Sequence, residues 1–276
     1  MTYRTILTQA LATPAGDRRV RQAAALARKF GSHLIGAGVQ PFIPYVATAG
    51  AYGYVDGAAV QAIHDELETE LKEAEHRFGE IAAGLPGGTT WRAALDYPTP
   101  TLARLTRSAD LVIASRRDDA QPEPAAASAH DLVMECGRPV LVAPPGEALL
   151  EAKVVLVAWK DSRESRRAVI DALPFLAGAE RVVLLEICEG DEKEAAATRL
   201  DGVVEHLGRH GVKCIQRIEE KTRLPVSEAI VKFATAEGSD LVVAGGYAHA
   251  RMREWVLGGV TQDLLDGSPL FSLMSH

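Results

Sequence analysis

The stretch Asp240–Leu265, DLVVAGGYAHARMREWVLGGVTQDLL, decides how the chain is read. An acidic residue precedes the apolar run Leu241 to Ala244. The run breaks at Gly245 and Gly246, and a polar loop then leads to a second glycine pair, Gly258 and Gly259. A short apolar run bounded by glycines reads as a buried strand, and the segment after the second pair opens a helix. Glycine on both sides of such a loop lets the backbone approach a ligand closely. The amides that open the helix, those of Gly259, Val260 and Thr261, present the positive end of its dipole to an anion. Two readings stand side by side here: a phosphate cradle, and glycines that merely allow a tight strand-to-helix crossover.

The rest of the second half alternates in the same way. Lys153 to Ala158 is an apolar strand, and Asp161 with Glu164 three residues on predicts a capping box. Ala168, Val169, Ala172, Leu173 and Leu176 form a helical stripe whose last turn Pro174 should kink. Val182 to Ile187, Val212 to Ile218 and Leu270 to Met274 supply further strands, with helices over Asp191 to Gly208 and from Pro225 onward. The first half follows the same order. Strands are predicted at Thr5 to Thr8, His33 to Val39, Thr89 to Leu95, Leu111 to Ala114 and Pro139 to Ala143. Asp17 is the expected cap of the first helix and Gly31 its stop. Val60, Ile63, Leu67, Leu71, Ala74, Phe78 and Ile81 recur at steps of three and four, the clearest amphipathic helix in the chain.

Duplication is visible in the numbering. Asp110 and Asp240, like Pro139 and Pro269, stand 130 residues apart, whereas the first strands are offset by about 149. The extra residues of the first half are best placed in the irregular, aromatic segment after its second strand, which holds Phe42, Tyr45, Tyr52 and Tyr54. Strands alternating with helices over short loops imply an α/β fold of two tandem doubly wound domains. Each would be a parallel sheet with helices on both faces, and ligands would bind beyond the carboxyl ends of the strands. The Pro144, Pro145, Gly146 run marks the boundary, giving domains 1–146 and 152–276.

Composition narrows the function. The 276 residues carry 30 basic and 37 acidic side chains, a net charge of −7, which disfavours nucleic acid as a partner. No apolar run approaches the ~20 residues that span a bilayer, and the amino terminus reads as a first strand rather than a signal peptide, so the expected location is the cytoplasm. Cys136, Cys188 and Cys214 are odd in number and far apart, which suggests neither a disulfide framework nor a zinc site. His206 and His210 have helical metal-ligand spacing, but Gly208 lies between them and no third ligand accompanies them.

The spacing Gly245, two residues, Ala248, nine residues, Gly258, Gly259 resembles the G-x2-G-x9-G-[S/T] nucleotide loop of the universal stress proteins. Ala248 stands at the second glycine and Gly259 at the hydroxyl residue. The phrases RMREWVLGGVT and SPLFSLMSH also resemble that family's tandem members. The resemblance implies five parallel strands per domain, pairing through the last strands into an internal pseudo-dimer or a homodimer. It also implies an ATP or other adenine nucleotide, with Mg only in its company, and no strong catalytic activity. Nucleotide-dependent association with an unidentified protein partner during stress would be the role. Carried over by residue, the adenosine end falls on Lys160, Asp161 and Ile187, with Lys160 in place of an aspartate; the phosphate end falls on Gly245, Ala248, Arg251, Gly258, Gly259, Val260 and Thr261. Arg251 and Arg253 are the candidate clamps on phosphate oxygens, the other reading of Arg-x-Arg-Glu being an exposed charged face at a helix start. In the first half, Gln9 and Ala10 fall near the aspartate position, and Ser115, Asp118, Ser128 and Ala129 replace the loop residues, with acid and proline between them. Carboxylates there would repel a triphosphate, so that half is expected not to bind nucleotide. The alternative is a ligand-free dimerisation or interaction protein whose two sites have both degenerated.

Overall fold

The computed structural model describes residues 2–42, 57–117, 122–247 and 259–276. The first half runs β1 (Thr5–Gln9), α1 (Pro14–Phe30), β2 (His33–Gln40), α2 (Gly57–Ile81), β3 (Thr89–Leu95), α3 (Pro98–Leu105), β4 (Leu111–Ser115), α4 (Ala129–Glu135) and β5 (Val140–Ala143). The second runs β6 (Val154–Trp159), α5 (Arg163–Asp171), α6 (Leu173–Leu176), β7 (Arg181–Cys188), α7 (Lys193–Arg209), β8 (Cys214–Glu220), α8 (Val226–Ala236), β9 (Leu241–Gly245), α9 (Gly259–Gly267) and β10 (Phe271–Ser275).

Among the described residues the ten strands form one sheet, in the order β3-β2-β1-β4-β5-β10-β9-β6-β7-β8. All pairings within a half are parallel; the seam between halves, β5 against β10, is antiparallel, with Leu141 opposite Leu273. Two apolar layers cover the sheet. One packs Val20 of α1, Phe78 of α2, Ala168 of α5, Phe175 of α6 and Leu200 of α7. The other packs Leu102 of α3, Leu132 of α4, Ile230 of α8 and Leu264 of α9. The central strands are apolar on both faces because both are covered, whereas the edge strands β3 and β8 are largely exposed or half-buried.

The repeat is physical as well as numerical. Asp110 accepts the amides of Arg4 at 2.7 Å and Thr5 at 3.0 Å, and Asp240 accepts those of Lys153 and Val154, both at 3.3 Å. Each acid therefore ties the start of its half's first strand. The predicted insertion also lies where expected: the offset between halves is 148 at the ends of β2 and β7 and 125 at the starts of β3 and β8.

Two caps differ from expectation. Thr13, not Asp17, caps α1: its hydroxyl accepts the Gly16 amide at 2.9 Å, and Pro14, already set at helical φ, becomes the first residue of the helix. Asp17 sits in the first turn instead and pairs with Arg77 at 3.2 Å. Likewise Ser162, not Asp161, caps α5, accepting the Ser165 amide at 3.2 Å, while Asp161 pairs with Arg166 at 2.5 Å. Glu164 is buried and bonded to Arg163, so no capping box forms. Pro174 divides its helix into α5 and α6, and α6 carries Phe175 into a cross-half aromatic cluster with Tyr3 and Phe30, centroids 5.2 to 5.4 Å apart.

Candidate functional site

The predicted residues converge on one edge. Gly245 ends β9, Lys160 and Asp161 follow β6, and Ile187 stands at the penultimate position of β7; these strands are neighbours, in register at Ala158 with Ala244 and at Trp159 with Glu186. Gly259, Val260 and Thr261 open α9, and Thr261 Oγ1 lies 3.1 Å from the amide of Tyr247, two residues beyond β9. Ala248, Arg251, Arg253 and Gly258 lie outside the described residues, as do Asp118 and the tyrosines at 45, 52 and 54.

Each described position has a definite environment. A Cβ on Gly245 would stand 2.6 Å from the Ser165 amide nitrogen and 2.7 Å from the Glu164 carbonyl carbon, so the first turn of α5 crosses directly over this glycine. Tyr247 follows at φ +55°, and its amide donates to Thr261 Oγ1 at 3.1 Å. The buried hydroxyl of Thr261 therefore accepts from the chain leaving β9 and ties it to the first turn of α9. Gly259 and Lys160 are exposed, and Ile187 is half-buried. Beneath them, Glu186 is buried and bonded to Arg199 through one carboxylate oxygen. Its other oxygen and the Trp159 indole nitrogen, on residues paired across β6 and β7, are buried without a hydrogen-bond partner. A donor and an acceptor left unsatisfied side by side is the state that a bound water or a polar ligand edge relieves.

The corresponding edge of the first half is crossed by a side-chain network. Gln9 donates to the carbonyls of Val39 at 3.3 Å and Ala125 at 2.7 Å, and accepts the Ala127 amide at 2.8 Å. Arg19 donates to the Gln9 carbonyl at 2.8 Å, to Ser115 Oγ at 3.3 Å and to Glu123 at 2.9 Å. Glu123 also takes the Thr13 hydroxyl. Arg19 and Glu123 are 2% and 9% exposed, so the pair is held out of water. The sequence reading assigned the acid here to repulsion of phosphate; Glu123 instead closes the edge as one partner of a buried ion pair. Equivalence of the caps Thr13 and Ser162 also places Leu11, rather than Gln9 or Ala10, at the position of Lys160.

Laid on the second half, these plugging residues change character. Gln9 corresponds to Ala158 and Arg19 to Ala168 at the offset of 149, and Ser115 corresponds to Gly245 at 130. None has a side chain long enough to repeat the network. Sequence reading missed this triplet, although the cap-to-cap offset would have paired Arg19 with Ala168.

A cavity of about 690 Å³ opens at this same edge, lined by Arg19, Ser115 and Glu123 of the network and by other residues of the first half, with α9 of the second half along one side. Its described walls include Arg18, Arg117 and Gln22 from the first half and Gln262 and Asp266 of α9. Arg116, at the exit of β4, is buried across this boundary and donates to carbonyls at the end of α9. Burial pulls its pKa down to about 10, partly offset by Asp266, so the guanidinium stays charged at neutral pH. Tyr247 lies in the same region, its hydroxyl buried without a partner. Burial, then Asp131 and Asp266, push its pKa up to about 12. Among the described residues no group of His, Cys, Asp and Glu could hold a metal ion, and no helix is long and apolar enough to cross a membrane.

No family model matches the sequence, and no curated protein matches it. Solved structures do. A universal stress protein from Archaeoglobus fulgidus DSM 4304 superposes with a TM-score of 0.74 at 14% identity, covering 98% of this chain and 97% of that one. A functionally unknown protein from Pseudomonas aeruginosa PAO1 gives 0.58 at 16% identity, over 99% of this chain and 92% of that one. Full-length coverage at this level establishes the arrangement of both halves together: the chain has the tandem universal stress protein fold.

Proposed function

We propose that this chain binds one adenine nucleotide through its second half and uses it to modulate association with another protein. The observation that carries the reading is the exchange of Gln9, Arg19 and Ser115 for Ala158, Ala168 and Gly245 between equivalent positions of the two halves. One edge is stoppered by its own side chains, and the other has none of those stoppers. The phosphates would lie at the amino end of α9, against the amides of Gly259, Val260 and Thr261, where the helix dipole favours anions. Lys160 would add a cation at the exit of β6, and the base would lie over the ends of β6 and β7, above the unsatisfied indole and carboxylate. Asp161 is engaged by Arg166, so any Mg would arrive with the nucleotide rather than on a resident site. The reading assigns no catalytic residue.

A second reading is favoured by Gly245 and Thr261. The first is explained by the crossing of α5 and the second by its bond to Tyr247, with no ligand required. On that reading the chain is a scaffold that associates with itself or a partner through surfaces alone. Mass spectrometry of protein purified without added nucleotide, followed by calorimetry with ATP, separates the two. Carried-through adenine nucleotide or a saturable heat supports the first; no binding at millimolar ATP supports the second.

A further inference from the structure

We infer that Arg116 is a positioning residue for the second half's ligand loop: the first half, itself plugged, supplies the side chain that seats α9. This rests on the nucleotide reading above. The guanidinium donates to the carbonyls of Leu265 at 2.7 Å, Leu264 at 2.8 Å and Leu270 at 3.3 Å, to that of Ser268, and to Ser272 Oγ at 3.4 Å. These acceptors are the last turn of α9, the turn after it and the start of β10. Helix ends leave carbonyls without intrahelical partners, and here a residue from the other half takes them. Arginine suits the task because its planar fork offers fixed donors in several directions and keeps its charge when buried.

The device is one-sided. Arg116 and Gly246 are equivalent, each donating its amide at 2.8 Å to the end of its own half's last strand, Ala143 or Ser275. A Cβ on Gly246 would stand 2.7 Å from Val133 Cγ1 of α4, so there is no room for a reciprocal arginine. The half that lacks the Gln9, Arg19 and Ser115 side chains receives the clamp, and the half that carries them gives it. At 1.5 Å per residue, the nine-residue α9 carries the constraint over ~13 Å to Gly259, where the helix would meet the phosphates. Thr261 holds that near end to Tyr247, so α9 is fixed at both ends and its first-turn amides keep a set direction.

The test uses the full-length chain with Arg116→Ala and, in case that variant folds poorly, Arg116→Lys, which keeps the charge but loses the fork. Hydrogen exchange over 259–267 and ATP affinity by calorimetry are measured at a temperature where both variants are folded. Arg116→Ala is expected to lower α9 protection selectively, with β9 unchanged, and to weaken ATP binding at least about tenfold, with Arg116→Lys between it and the parent. ATP affinity within twofold of the parent in both variants, or a loss of protection spread evenly over the chain, overturns the inference. A parent protein that binds no ATP overturns the nucleotide reading together with this coupling, and is told apart from failure of the inference alone, in which parent and variants bind equally.

Discussion

Glu123 and Arg19 show what a charge in a loop becomes once its surroundings are known. From sequence, the acid between Ser115 and Ser128 reads as a repulsive lining; in the fold it is a buried half of an ion pair. Removing one partner leaves the other charge buried and unpaired, at a cost of ~3 to 5 kcal/mol, whereas replacing both with apolar residues is much milder. Arg19→Met and Glu123→Leu are therefore each expected to destabilise the chain by ~3 kcal/mol or more in denaturant titrations, and the double variant by clearly less than their sum. Additive losses would mean that the pair is not coupled. Tyr247 is the opposite case, a buried hydroxyl with nothing to bond. Tyr247→Phe should be neutral or stabilising by ~1 kcal/mol at pH 7. Its folded pKa is raised, so the tyrosine's contribution is fully present below its unfolded value near 10 and is lost as pH rises toward about 12. The advantage of the phenylalanine variant should therefore widen over that window, and an unchanging difference would place the hydroxyl in water.

At the scale of elements, periodicity located nearly every helix and strand, because the apolar faces here obey simple repeats: the stripe from Val60 to Ile81 is α2, and the run Leu241 to Ala244 is β9. Helix starts were less legible. Thr13 and Ser162 each compete with an aspartate one or a few residues away, and the hydroxyl residue wins where the chain geometry points it at the amide three residues on. The crossing of α5 over β9 was invisible, since it joins residues some 80 positions apart in sequence. It gives Gly245 a packing role that can be measured. Gly245→Ala would drive a methyl into the backbone of α5 and should cost ~1 to 3 kcal/mol of stability. A loss below ~0.5 kcal/mol, within the range of an ordinary surface change, would show that the crossing is loose.

For the whole molecule, duplication could be read from two acids and two prolines, and the seam of β5 with β10 turns that duplication into a single sheet. What sequence could not reveal is how the copies divide their labour, because that depends on which side chains meet at each edge. One copy spans its edge with a network of Gln9, Arg19 and Glu123; the other carries alanine and glycine where Gln9, Arg19 and Ser115 would stand, and has the end of α9 held by Arg116 from across the boundary. Putting the stopper back should close the second edge as well: because Ala168 is packed in the apolar layer, Ala168→Arg is tested in protein that circular dichroism shows to be folded, and there it is expected to abolish nucleotide binding while Gln216→Ala, on the exposed edge strand β8, leaves it intact. Binding unaffected by Ala168→Arg would place the ligand elsewhere. The most direct measurement is the stoichiometry of ATP binding to the intact chain by calorimetry, with Gly258→Val as the control for the loop. The asymmetry of the two edges predicts one nucleotide per chain, lost in the valine variant; two per chain, or none at millimolar ATP, would contradict it.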